Sequence, residues 1–477
     1  MKPKFFEVLS QEEINRIDNE SRRILEECGV RVLHNECLDL LEGLGCTVDR
    51  ASSIVRIPSN VVQKAIETTP SKFSIYGRDP SFRIDLGGDN VYFGPGGFAV
   101  FAEDIDTGKR RRALRKDVIE HLRISDVLST CEFNHVNVFP SDVPGNVADL
   151  YLWADALIYQ TKPIMSENYS RSSVDALVEM GTIFRGSKKA LAEKPHVCLD
   201  VCVVSPLTHD TRQVELLLAG AKYGLPISIE SGPVAGGNSP VTMASVVSQA
   251  NAEILSGIVI VYAAKPGTPV LYGSWGRHLD MRYCTVTMGG PEFSLLKVTT
   301  AQMARHYKLP SRGGGVLTDS LISDAQSGYE KMLTALIPAM AGLNYISGMG
   351  LNETENCQSL AQLVIDDEIV SMVKRVLQGI TVDTEHLATD IIISKGPGGQ
   401  FIDTEHTLRY FKEHFEPVVS NRATYERWTD SGSMSVKDRA IEKARNLLSH
   451  QPEHTLDLKT VNEVYKIVQK AEQGHTV

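Results

Sequence analysis

Phe93, Phe98, Phe139, Tyr169, Tyr272, Trp275 and Tyr345 recur at the ends of short apolar runs, together with the isolated carboxylates Glu167 and Glu230. Aromatic faces with negative charge nearby are how a quaternary ammonium group is held, because it has no N–H to donate. Each aromatic taken alone reads more simply as core packing. Asn137, Ser205, Ser274, Arg312, Asp319 and Asn352 occupy comparable positions.

The stretch HVCLDVC, residues 196–202, invites a metal reading, since strand alternation puts His196, Cys198, Asp200 and Cys202 on one face. Four such residues in line would span roughly 20 Å, too far to share one ion. No metal is therefore expected. The glycine-rich pieces at 94–97, 312–315 and 396–399 match neither a phosphate-binding loop nor a dinucleotide turn. They suit tight turns or close backbone approach to a flat ligand. No G-x-S-x-G elbow is present.

Positioning these residues falls to a repeating pattern that starts near Tyr92. Short β-branched runs at 91–97, 133–139, 162–168, 196–204, 226–232, 269–275, 312–317 and 343–350 alternate with helical stretches. Among the helical stretches are 149–160, 173–184, 210–223, 239–264, 290–306, 329–341 and 357–379. Alternating units of this kind imply a parallel sheet, and eight of them predict an α/β fold of the (β/α)8 TIM-barrel class. Functional side chains then belong at the C-terminal ends of the strands. Residues 1–90 read as an α+β N-terminal extension, with helices at 10–28, 34–44 and 59–68 and strands at 55–57, 73–76 and 82–84. Residues 91–380 form the barrel, and 381–477 a helical C-terminal cap packed on it.

Composition sets outer limits. The chain is 42% hydrophobic and 23% charged with a net charge of −10, which argues against nucleic acid or an anionic membrane as partner. Apolar runs such as 254–264 fall short of the roughly 20 residues that cross a bilayer. The charged start MKPKFFEVLS leaves no room for a signal sequence, and the eight cysteines are scattered without disulfide spacing. A cytoplasmic protein is expected, and a homo-oligomer is compatible with a barrel of this size.

GGGVLTDSLISDAQSGYEKM (313–332), AGLNYISGMG (341–350), CQSLAQLVIDDEI (357–369) and GPGGQFIDTEHTLRYF (396–411) are long, low-degeneracy strings. On them, and over essentially its whole length, the chain resembles the trimethylamine methyltransferase superfamily, in its non-pyrrolysine branch. The resemblance implies an enzyme that moves a methyl group from a quaternary amine to the Co(I) of a corrinoid (cobalamin) on a small partner protein. Glycine betaine, proline betaine and carnitine-like compounds are the implied donors, and the tertiary amine is released. Pyrrolysine would align near Leu321, where this chain has only ordinary residues. A quaternary ammonium is already a cation, so it needs positioning rather than an activating group. On this reading Phe93, Phe98, Tyr272, Trp275 and Tyr345 form the cation box, with Glu167 or Glu230 adding charge. Arg312 meets a substrate carboxylate or pairs with Asp319 or Asp324. Gly313, Gly314, Gly315, Asp319, Ser320, Leu321 and Asp324 lie near the corrinoid.

Two other readings compete. A Schiff-base lyase or aldolase needs a lysine at a strand end, but Lys162 starts a strand and Lys395 lies beyond the barrel. A betaine- or corrinoid-binding protein without catalysis would show the same box.

Overall fold

The computed structural model describes residues 5–136, 138–450 and 454–474. Asn137 lies outside them.

Eight parallel strands form the central sheet: β1 Tyr92–Pro95, β2 Asn134–His135, β3 Ile164–Glu167, β4 Val197–Val203, β5 Ile227–Ser231, β6 Val270–Ser274, β7 Ser311–Gly314 and β8 Tyr345–Met349. Neighbours in the chain are neighbours in the sheet, and β8 returns to β1. The seam between β1 and β2 is closed by Glu132 N–H donating to Phe93 O at 2.8 Å and by an Ala99–Val138 bridge. A helix follows each strand: α1 Arg115–Val127, α2 Ala148–Tyr159, α3 Arg171–Arg185, α4 Thr211–Tyr223, α5 Met243–Ala264, α6 Pro291–His306, α7 Ala325–Met340 and α8 Leu360–Gln378. The fold is a (β/α)8 barrel.

Several elements start or stop away from the positions read from sequence, each for a local reason. The seventh run ends at Gly314 because Val316 turns into the left-handed region at φ 58°. Asp324 caps α7 by accepting from Ser327 N–H at 3.0 Å, which starts that helix at Ala325. Cys357–Gln358 pair with Leu351–Asn352, which delays α8 to Leu360. Helix α5 is long and apolar enough to cross a membrane, yet 83% of its most apolar stretch is buried against barrel and extension.

The N-terminal helix Gln11–Arg23 opens on a reciprocal cap, with Ser10 N–H donating to Glu13 Oε2 at 2.8 Å. Val30–Val32 pairs in parallel with Thr208–His209 of the loop after β4. The hairpin Phe73–Tyr76 with Arg83–Leu86 sends Ile75, Ile84 and Leu86 into one cluster with Phe133, Met165, Cys198, Leu271 and Tyr345. Those five come from β-strands or their starts and point inward, so the hairpin plugs the N-terminal end of the barrel. Near the C-terminus, Val436–Ser449 packs on α8 and α1, and Leu458–Gly474 packs on α3 and α2.

Candidate functional site

Strand alternation sorts side chains between the barrel interior and the surrounding helices. Above the plug, the interior layer consists of His135, Asp200, Glu230 and Arg312, all buried. Above that layer a cavity of about 370 Å³ opens at the C-terminal end, lined by Phe98, Glu167, Cys202, Trp275, Arg277 and Glu355 among others. Its size lies within the roughly 300–1,000 Å³ of small-molecule sites.

Charge in this layer is strongly paired. Arg312 Nη1 lies 2.9 Å from Asp200 Oδ2 and also contacts Glu230. Burial alone would raise the Asp200 pKa, but Arg312 and His135, the latter 3.2 Å away, hold it below the ordinary value. Burial lowers the His135 pKa, against the pull of Asp200. His135 meets Phe98 edge to face at 5.4 Å between ring centroids. Glu230 accepts from Trp275 Nε1 and from Ser228 Oγ, the latter at 2.6 Å, so the indole is fixed by a hydrogen bond as well as by packing. Behind Trp275, the fully buried Lys297 donates to Ser274 O at 2.6 Å, and burial depresses its pKa. It props the end of β6 and does not line the cavity.

Glu167 and Glu355 differ from the paired carboxylates. Burial pushes both pKa values up to about 7, with Asp200 adding to the effect at Glu167. Glu355 Oε1 is buried without a hydrogen-bond partner. The residue stands in a hairpin turn where Glu353, Thr354 and Glu355 all adopt positive φ, at 55°, 53° and 71°. Left-handed backbone costs roughly 1–2 kcal/mol per non-glycine residue, so the surroundings must impose it. They do so through Glu353 N–H to Ser320 O at 2.9 Å, Thr354 N–H to Thr318 O at 3.0 Å and Thr354 Oγ1 to Asp319 Oδ1 at 2.9 Å. Gly97, at φ 87°, provides the space beside the Glu355 carboxylate, since a Cβ there would lie 3.0 Å from Oε1.

Of the sequence-derived residues, Phe98, Glu167, Ser205, Glu230, Trp275 and Arg312 line the cavity. Tyr345 points inward but lies one layer deeper, stacked on Phe133 at 3.5 Å. Phe93 and Tyr272 have the opposite parity and face the helices; Tyr272 donates to Asn251 at 2.8 Å. The glycines 313–315 sit in the wall, where a Cβ on Gly314 would collide with Trp275 and one on Gly315 with Ile346. Asp319 also accepts from Met288 N–H at 2.8 Å, and Ser320 Oγ donates to Asp324 at 2.9 Å. Leu321 is 72% exposed at the mouth. Glu355, Arg277 and His135 were not among the expected residues, and Asp200 entered only through the metal reading. Trp275 and Arg277 share the two-residue spacing of one face, a signal that was available.

A second cavity of about 300 Å³ lies between Thr384–Lys395 and Glu405–Tyr410 and contains no barrel residue.

Residues 2–475 match the family described as trimethylamine methyltransferase (MTTB). The glycine betaine methyltransferase of Desulfitobacterium hafniense strain Y51 is 30% identical over 455 residues, 95% of this chain and 94% of the relative. A trimethylamine methyltransferase from D. hafniense strain DSM 10664 / DCB-2 is 31% identical, covering 98% of this chain and 94% of that protein. One from Methanosarcina mazei is 30% identical, covering 98% and 95%.

Proposed function

The chain belongs to the trimethylamine methyltransferase family and is a methyltransferase, and from that premise we propose that it takes a methyl group from a quaternary amine for transfer to a corrinoid. The observation that carries this reading is Glu355 Oε1, a buried acceptor without a donor, placed in the same cavity as Phe98 and Trp275. A quaternary ammonium offers positive charge and no N–H, so it suits aromatic faces and a carboxylate that needs compensation rather than a hydrogen bond.

The residues at the mouth bind and orient. Glu167 and Glu355 supply the counter-charge, Trp275 and Phe98 present ring faces, and the Arg312–Asp200–Glu230 cluster fixes the floor. Leu321 stands near the position that the resemblance gives to pyrrolysine, and its hydrocarbon side chain performs no activation. A donor that is already cationic requires only that one methyl carbon be aimed out of the mouth.

A Co(I) corrinoid on a small partner protein supplies the nucleophile when it docks. The rim suits such a partner: Val204, Val241, Met281, Tyr283, Leu321 and Ile322 are exposed large apolar side chains on loops at the strand ends. Clustered exposed apolar residues mark interaction surfaces. In this reading the 318–324 loop meets the partner through Leu321 and Ile322, and Asp319, Ser320 and Asp324 shape the loop from within.

The test mixes the purified chain with a reduced corrinoid protein and a panel of quaternary amines. The Co(I) absorbance should fall as the tertiary amine appears. Persistence of Co(I) with every amine, in the presence of a corrinoid protein that a related enzyme can methylate, would sink the reading.

A further inference from the structure

We propose that Arg277 reads an anionic group on the substrate: it binds the carboxylate of a zwitterionic quaternary amine whose ammonium lies among Phe98, Trp275 and Glu355. This deepens the preceding proposal and rests on it.

Two guanidinium groups line the cavity, and only one has charge to spare. Arg312 is fully buried and faces both Asp200 and Glu230. Its Nε and Nη2 lack partners, yet two adjacent carboxylates would repel a third arriving there. Arg277 forms no ion pair and no side-chain hydrogen bond among the described residues, and its Nε is buried. A buried donor of this kind is costly until a ligand satisfies it. The planar fork of a guanidinium matches a carboxylate with two parallel bonds.

The backbone holds Arg277 at a fixed height above the floor. It begins the strand Arg277–Asp280, which pairs in parallel with Val234–Ala235 and antiparallel with Thr285–Thr287. Its own N–H donates to Pro233 O at 3.1 Å. The polar neighbours on that wall are already committed: Ser205 donates to Glu253 at 2.7 Å, and Asn238 Oδ1 accepts from Val234 N–H at 2.6 Å. Arg277 opposes the rise that burial causes in the Glu355 pKa, so the two groups feel each other across the cavity. A zwitterion satisfies both groups at once, with its ammonium toward Glu355 and its carboxylate on Arg277. A plain cation meets Arg277 as a like charge, so the same residue selects against it.

The experiment is calorimetric titration of the full chain, without corrinoid protein, using glycine betaine, its methyl ester and choline. Glycine betaine should bind at least about tenfold tighter than either cation, the margin a charge-assisted bidentate contact supplies. Arg277→Gln should erase that margin while leaving the ester and choline unchanged or improved, and Arg277→Lys should restore part of it. Equal binding of all three by the unaltered chain overturns the Arg277 assignment and leaves the cation box standing. An equal loss of all three in Arg277→Gln also overturns it. If none of the three binds the unaltered chain, the quaternary-amine reading fails and the Arg277 assignment with it. Should Arg277→Gln not fold, the comparison of ligands on the unaltered chain still decides.

Discussion

Thr354 donates its hydroxyl to Asp319 Oδ1 at 2.9 Å, and this bond ties the loop after β7 to the turn that carries Glu355. Replacing Asp319 by Ala strands Met288 N–H and removes this side-chain tether of the turn, leaving its two backbone bonds to the loop after β7. Stability should fall by about 1–3 kcal/mol, the cost of an unsatisfied buried donor. The affinity for a quaternary amine should fall as well, although Asp319 does not line the cavity. Denaturant unfolding and calorimetric titration measure the two effects. Unchanged amine affinity would show that Glu355 does not depend on this tether.

Glu167 and Glu355 give the site a pH dependence with a definite sign. Both keep their protons to about pH 7 in the folded protein, against an ordinary value of 4.5. The stability they contribute is present in full below the ordinary value and is lost as pH rises through about 7. A bound cation favours their ionised forms. The rise in Tm caused by a quaternary amine should therefore be larger at about pH 8 than at about pH 6, and binding near neutrality should release protons. Proton uptake on binding, seen by titration in buffers of different ionisation enthalpy, would contradict the assignment.

Trp275 is fixed through Glu230, so its ring can face the ammonium without further ordering. Trp275→Ala should weaken amine binding by about 1 kcal/mol or more. Trp275→Phe keeps a ring and loses the bond to Glu230, so it should fall between. Affinities that match the unaltered chain in both variants would remove Trp275 from the box.

Arg312 is a structural cation. Arg312→Met leaves Asp200 and Glu230 buried without their partner and should cost about 3–5 kcal/mol of stability. The check is the midpoint of urea unfolding. A loss below 1 kcal/mol, roughly the worth of an exposed pair, would mean that the cluster is hydrated rather than desolvated.

The rim makes a separate prediction. Leu321→Asp combined with Ile322→Asp should slow Co(I) consumption by raising the concentration of corrinoid protein needed for half-maximal rate. Amine affinity, measured without the partner, should stay the same. A loss confined to amine binding would move these residues from docking to the substrate site.

The barrel was legible in the sequence because each strand is a short apolar run bounded by turn residues, and each of the eight runs overlaps a strand of the sheet. Parity was harder to read. Phe93 and Tyr272 stand next to Gly94 and Gly273, which occupy the inward-facing positions, so the large ring looked like the functional side chain when it belongs to the outer core. Glu355 carries no periodic signal, because the three left-handed residues of its turn are Glu, Thr and Glu rather than Gly or Asn. Asp200 and Glu230 were visible as residues, but their pairing through Arg312 joins β4, β5 and β7 across the barrel, and no local pattern encodes that.

The hairpin Phe73–Tyr76 with Arg83–Leu86 stoppers the base of the barrel, so the cavity has one end open for traffic. A vessel with a single opening imposes a queue. Under the proposed function, the amine would enter before its methyl acceptor covers the mouth, and the demethylated product would leave once the acceptor withdraws. Steady-state kinetics should accordingly be sequential and ordered, with excess acceptor protein inhibiting by closing the door on an empty chamber.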